Sequence, residues 1–126
     1  MNRDRTTGTD ASGAAAETAA ARWLQQHGLH IIERNFHSGD GEIDLIARDG
    51  SELVFVEVRL RNRSDFGGAE ASVTPAKQRR IVRAAQHFLA QQARWRNRPC
   101  RFDVLAGSTG STGAIEWRWL RHAFTE

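Results

Sequence analysis

Residues 41–61 read GEIDLIARDGSELVFVEVRLR. Two runs of apolar and β-branched residues flank an Asp49-Gly50 turn signal, which predicts a hairpin of residues 42–48 against 52–60. Within these strands stand Glu42, Asp44 and Glu57, with Arg59 two residues past the last acid. Side chains alternate along a strand, so Glu57 and Arg59 share one face while Val56, Val58 and Leu60 share the other. On the partner strand Glu42 and Asp44 lie opposite to Ile43, Leu45 and Ala47. If Asp49-Gly50 form a two-residue turn, residue 48 pairs with 51 and 42 pairs with 57. Asp44 is then diagonal to Glu57, roughly 7–8 Å away at the backbone. Three carboxylates on one patch of sheet repel one another, and a hard divalent cation, Mg²⁺ or Mn²⁺, resolves the repulsion. The alternative is a solvated sheet face with Arg59 or Arg61 as salt-bridge partners.

The rest of the chain supplies a frame for that hairpin. Ala16, Ala19, Ala20, Trp23 and Leu24 recur at helical spacing over residues 12–27, with Ser12 as cap and Gly28 as stop. A short strand follows at 30–36. Residues 61–72 have the Gly and Ser content of a surface loop. Thr74-Pro75 opens a second helix, Thr as N-cap and Pro in the first turn, with Ile81, Val82, Ala85, Phe88 and Leu89 as its apolar stripe. Further strands fall at 101–107 and 114–120. The order α-β-β-β-α-β-β predicts one α/β domain with a mixed sheet over residues 13–126, preceded by a disordered polar leader, 1–12.

Composition excludes several classes of function. No apolar run nears the ~20 residues of a membrane helix, and the first residues lack a signal peptide's apolar stretch. One cysteine, Cys100, makes no internal disulfide, which fits a reducing cytoplasm and a buried structural thiol. HExxH, GxGxxG and Walker motifs are absent, against zinc, dinucleotide and nucleotide-driven chemistry. Trp23, Trp117 and Trp119 sit at core or half-buried positions rather than on a base-stacking surface. Net charge is +3, and of the 18 basic side chains only Lys77 is a lysine. Lys77, Arg79, Arg80 and Arg83 crowd the first turns of the second helix, where cations oppose the helix dipole and a docked phosphate offsets that cost. Arg61 extends the positive surface, although basic runs also serve as plain solvated faces.

An acid followed on the next strand by Glu-x-Arg resembles the PD-(D/E)xK nuclease core, where Lys holds the last place. GEIDLIARDG, LVFVEVRLR, VTPAKQRR and RFDV, in that order, resemble the YraN-like family of small bacterial proteins, itself similar to archaeal Holliday-junction resolvases. The resemblance covers Gly13 to Phe124 and implies a restriction-endonuclease-like mixed sheet flanked by helices. It implies that Asp44 and Glu57 are metal-binding acids, that the Val58 carbonyl adds a ligand, and that Glu17 is the upstream acid on the first helix. Glu17 shares a face with Ala20, Ala21 and Leu24, and equally suits the dipole of the helix's first turns. Gln78 matches a polar site-flanking position, and Glu42, one ladder step away, tunes the site or binds metal through water. The implied protein is a cytoplasmic nucleic-acid binder, DNA foremost, that cuts branched or single-stranded DNA with Mg²⁺ or Mn²⁺, as a homodimer like the resolvases. Arg59 supplies charge but stays protonated and cannot act as a base. The alternative is therefore a catalytically impaired nuclease-fold binding or adaptor protein.

Overall fold

The computed structural model describes the backbone of residues 3–39, 41–62, 72–109 and 113–125, and side chains from residue 13 onward, Asn62 excepted. Helix α1 (Arg3–Gln26) leads into strands β1 (His30–Ser38), β2 (Gly41–Asp49) and β3 (Glu52–Asn62). Helix α2 (Pro75–Gln91), a single 3-10 turn (Ala93–Trp95), β4 (Cys100–Thr109) and β5 (Ile115–Phe124) complete the chain. The anticipated element order is present, though α1 begins at Arg3 and so passes through the Ser12 cap expected from the sequence. Most of the loop expected at 61–72 lies outside the described residues. No described helix is long and apolar enough to cross a membrane.

The five strands stand in the order β1-β2-β3-β4-β5. Neighbours are antiparallel except β3 and β4, which are parallel because α2 carries the chain back across the sheet between them. This is the mixed sheet flanked by helices that the sequence predicts. Strand β3 lies at its centre, and its LVFV run (Leu53, Val54, Phe55, Val56) is buried on both faces, as an unbroken apolar strand must be.

Each helix covers one face. Ala20, Ala21 and Leu24 of α1 pack on Leu45, Ala47, Val54, Val56 and Leu105. On the other side Ile81, Ala84, Ala85 and Phe88 of α2 meet Ile43, Ile46, Leu53, Phe55 and Phe102. Phe88 meets Phe36 and Phe55 edge-on, at 5.3 and 6.1 Å between centroids. The α2 stripe is the expected one with Ala84 added; Val82 and Leu89 are only partly buried at its margin. Cys100 is half-buried against this core rather than enclosed. Gly41 lets α2 come close: a Cβ there would collide with the Arg80 carbonyl oxygen, so β2 begins directly under the first turns of that helix.

Candidate functional site at the open end of the β2–β3 ladder

The hairpin closes one step later than the Asp-Gly signal suggests. Asp49 pairs with Glu52, and the two turn residues are Gly50 and Ser51. Gly50 takes φ +63° while Ser51 keeps an ordinary backbone, which is the type II′ arrangement with glycine at the first central position. The register therefore shifts, and Asp44 falls directly across from Glu57 instead of diagonal to it. Pairing between β2 and β3 stops just short of them, at Leu45 and Val56.

Two further departures from regular strand geometry open the site. Ile43 packs on the α2 side, whereas Leu45 and Ala47 pack on the α1 side, so the three do not share the face expected of them. The flip lies opposite Asn35, held at φ +52°, a conformation asparagine tolerates. Beyond the end of the ladder the Val58 N–H has lost its strand partner. It donates to Asp44 Oδ2 at 2.8 Å, which fixes that carboxylate at the edge of the gap.

A cleft of about 330 Å³ occupies this gap. Glu17 enters from α1, Glu42 and Asp44 from β2, Glu57, Val58 and Arg59 from β3, and Lys77 and Arg80 from α2. Carboxylate oxygens of Glu17, Glu42 and Asp44 lie within 4.8 Å of one another. Glu57, only 5% exposed, faces Asp44 and is met from the other side by Arg59 (3.3 Å) and Lys77 (3.6 Å). Burial, reinforced by the charge of Asp44, pushes the Glu57 carboxyl up to about 8 despite those two cations. The same causes push Glu17 up to about 7, eased by a hydrogen bond to Asn35 and the charge of Arg34. One oxygen of Glu17, Oε1, is buried without a hydrogen-bond partner among the described residues.

The donor set consists of carboxylate oxygens, one of them orphaned, crowded until two acids retain protons near neutral pH. That chemistry fits a hard divalent cation, which takes oxygen ligands and relieves like-charge repulsion. All four acids named from the sequence, Glu17, Glu42, Asp44 and Glu57, converge here, together with Val58, Arg59, Lys77 and Arg80. Other basic candidates do not. Arg79 and Arg83 are exposed and border a separate depression beside Pro75 and Val82. Gln78 turns away to donate to the Val73 carbonyl at 3.0 Å, and Arg61 bonds the Leu60 carbonyl at 3.2 Å. The sequence groups Lys77 with the other basic residues at the start of α2, and of that group it is the one whose ammonium meets Glu57 inside the cleft. Asn35 was not singled out at all, although Asn is a common bearer of positive φ.

Residues 16–106, which contain every one of the cleft's acids, match the model of the uncharacterised protein family UPF0102. A UPF0102 protein of Alcanivorax borkumensis is 52% identical over 113 residues, 90% of each chain. Those of Nitrosococcus oceani and Dechloromonas aromatica are 50% and 51% identical, covering 89% and 93% of this chain and 90% and 91% of their own. The relatives align over nearly their whole length, and the chain belongs to the UPF0102 family.

Proposed function

We propose that the cleft binds nucleic acid, DNA foremost, and hydrolyses phosphodiester bonds with the help of Mg²⁺ or Mn²⁺. One observation carries the reading: clustered carboxylates that lack enough cations of their own stand against a wall of Lys77, Arg59 and Arg80. Acids alone suit a metal and cations alone suit a phosphate; both lining one cleft suit a metal-assisted reaction at phosphorus. Asp44, Glu57 and Glu17 would hold the ion, with Glu42 acting through water and the Val58 carbonyl as the further ligand the resemblance implies. When bound, such an ion lowers the pKa of a water and draws charge from the phosphate oxygens. The chain's own part is to orient: Val58 N–H fixes Asp44, while Arg59 and Lys77 fix Glu57. Arg79 and Arg80 on the exposed start of α2 extend the positive surface along which a strand's phosphates would lie.

The binding-only alternative rests on Arg59, which stays charged where the resembling nucleases carry Lys. A cleavage screen over duplex, flap, four-way junction and single-stranded DNA, with Mg²⁺ or Mn²⁺, separates the two. Cleavage by the wild type that Asp44→Asn abolishes is the expected result. Binding without cleavage on every probe points to the adaptor. Affinity should also fall as salt rises, and Arg79→Ala with Arg80→Ala should flatten the log–log slope by about two. If no nucleic acid binds at low salt, both forms of the reading fail.

A further inference from the structure

Arg59 stands where a nuclease strand would offer its lysine, but its guanidinium is already engaged. Nη1 reaches Glu57 at 3.3 Å, Nε donates to Ser72 Oγ at 2.9 Å, and Nη2 to the Ser72 carbonyl at 3.4 Å. Each of its three nitrogens has a partner in the protein, and together they tie β3 to the segment that enters α2. Two of its five N–H donors remain, but with every nitrogen anchored the guanidinium cannot turn toward a phosphate without straining that tie.

Lys77 is placed differently. It is the chain's one lysine, and it lies at the third position of α2, where its own N–H donates to the capping hydroxyl of Thr74 at 3.2 Å. Its side chain is about two-thirds buried and reaches into the cleft, Nζ 3.6 Å from Glu57 Oε2. An ammonium carries three N–H donors, and at 3.6 Å Glu57 is an ion-pair partner rather than a hydrogen-bond acceptor, so donors are left for a group inside the cleft. A cation here opposes the helix dipole, and no acid stands in the first turn to offset it.

We propose that Lys77, arriving from α2, supplies the ammonium that contacts the scissile phosphate and its attacking water, and that Arg59 is a positioning residue for Glu57 and the start of α2. The inference rests on the phosphodiesterase reading above. In the step it serves, the water oxygen bonds to phosphorus as the bridging P–O bond breaks. The water releases a proton to solvent and the leaving oxygen takes one up, so Lys77 remains an ammonium throughout. Its part is to donate hydrogen bonds and to balance charge on the phosphate oxygens.

A chain with a single lysine gives a direct test. Protein labelled with ¹³C-lysine shows one side-chain ε-CH₂ signal, and it needs no assignment. With Ca²⁺ keeping the DNA uncut, adding saturating duplex, flap, junction or single-stranded DNA should move that signal; an equal ionic strength of NaCl should not. A signal that stays put while DNA is bound overturns this inference alone. DNA that does not bind at all removes the phosphodiesterase reading, and this inference with it. In the cleavage screen, Lys77→Ala should lower the rate about 10²–10³-fold, the usual cost of one preorganised donor, with affinity changed less than about threefold. Adding Arg59→Lys to Lys77→Ala should restore at least about tenfold of the lost rate, which a lysine that only braced the fold would not allow. Cleavage by Lys77→Ala within about threefold of wild type would overturn the proposal.

Discussion

Asp103 on β4 and Asp44 on β2 use the same local device. Each sits where a ladder breaks, and each accepts the N–H that the break sets free on the neighbouring strand. For Asp44 the donor is Val58; for Asp103 it is His122, at 3.0 Å, where β5 shifts register and His122 turns to φ +51°. Their surroundings then diverge. Asp103 is fully buried and meets only donors: Arg101 Nε at 3.1 Å to both oxygens and Trp119 Nε1 at 2.8 Å. Arg101 is held in turn by Glu52 at 2.7 Å and Asp49 at 3.1 Å. Asp44 meets Glu17, Glu42 and Glu57, three more acids. One cluster is closed: its carboxylate is enclosed by donors, with only Arg101 Nη2 left buried there without a hydrogen-bond partner among the described residues. The other is left open, and its imbalance is what a ligand would correct.

Mutation should break the two clusters in opposite directions. Asp103→Ala leaves the buried Arg101 short of its best partner and orphans Trp119 Nε1 and His122 N–H. A loss of about 3–5 kcal/mol is expected, read from urea unfolding. Asp44→Asn keeps an acceptor for Val58 but removes a charge from a repulsive set, so the metal-free protein should gain about 1 kcal/mol. The same variant should lose any rise in Tm that Mn²⁺ gives the wild type. A loss under about 1 kcal/mol for Asp103→Ala would show that both clusters tolerate imbalance, and the contrast would vanish.

Much of the open cluster was legible in the sequence because its members obey local rules. Thr74-Pro75 caps α2 as its residue types require, and the acids on β2 and β3 share a face in either two-residue register. The register itself was misread because Asp49-Gly50 and Gly50-Ser51 are both acceptable turns, and only packing of the strands chooses between them. The meeting of Lys77 with Glu57 is not legible locally, because position within a helix says nothing about what the helix end abuts. Topology held that information: a crossover between parallel β3 and β4 sets the start of α2 beside the carboxyl half of β3, the end where α/β sheets hold ligands. The closed cluster was hidden for another reason. RFDV reads as an ordinary buried strand, and besides Arg101 the partners of Asp103 lie 16 and 19 residues away across a bulge no local pattern announces.

Proton linkage gives a subtler way to separate the clusters. The carboxyls of Glu57 and Glu17 rise to about 8 and about 7 in the folded protein, against an ordinary value of 4.5. The folded state thus keeps protons that the unfolded chain has released. Their contribution to stability is full below about pH 4.5 and is lost as pH rises through 7 and 8. Chelator-treated protein should therefore lose Tm steadily between pH 5.5 and 8.5, and Glu57→Gln should flatten much of that decline. A Tm that rises over this range would mean that Lys77 and Arg59 outweigh burial at Glu57, and the cleft would then hold no repulsion for a ligand to relieve.

The smallest expected effect is at Glu42, and it decides where the open cluster has its centre. Glu42 has oxygens within 4.8 Å of Glu17 and Asp44, yet its side chain is 48% exposed and the His37 ring nitrogen lies 4.0 Å away. Water screens such a group, so Glu42→Gln should change stability by no more than about 0.5 kcal/mol. Mn²⁺ affinity, followed by calorimetry, should weaken by about tenfold, or about 1.4 kcal/mol, the low end for an acid that acts on a metal indirectly. Asp44→Asn should weaken it far more, since Asp44 alone faces both Glu17 and Glu57. Equal losses at the two positions would make Glu42 a direct ligand and move the ion to the rim formed by Glu17, Glu42 and Asp44. Glu57 would then serve chiefly to hold Lys77 and Arg59 in place, and substituting it would disturb cleavage while leaving the affinity for metal intact.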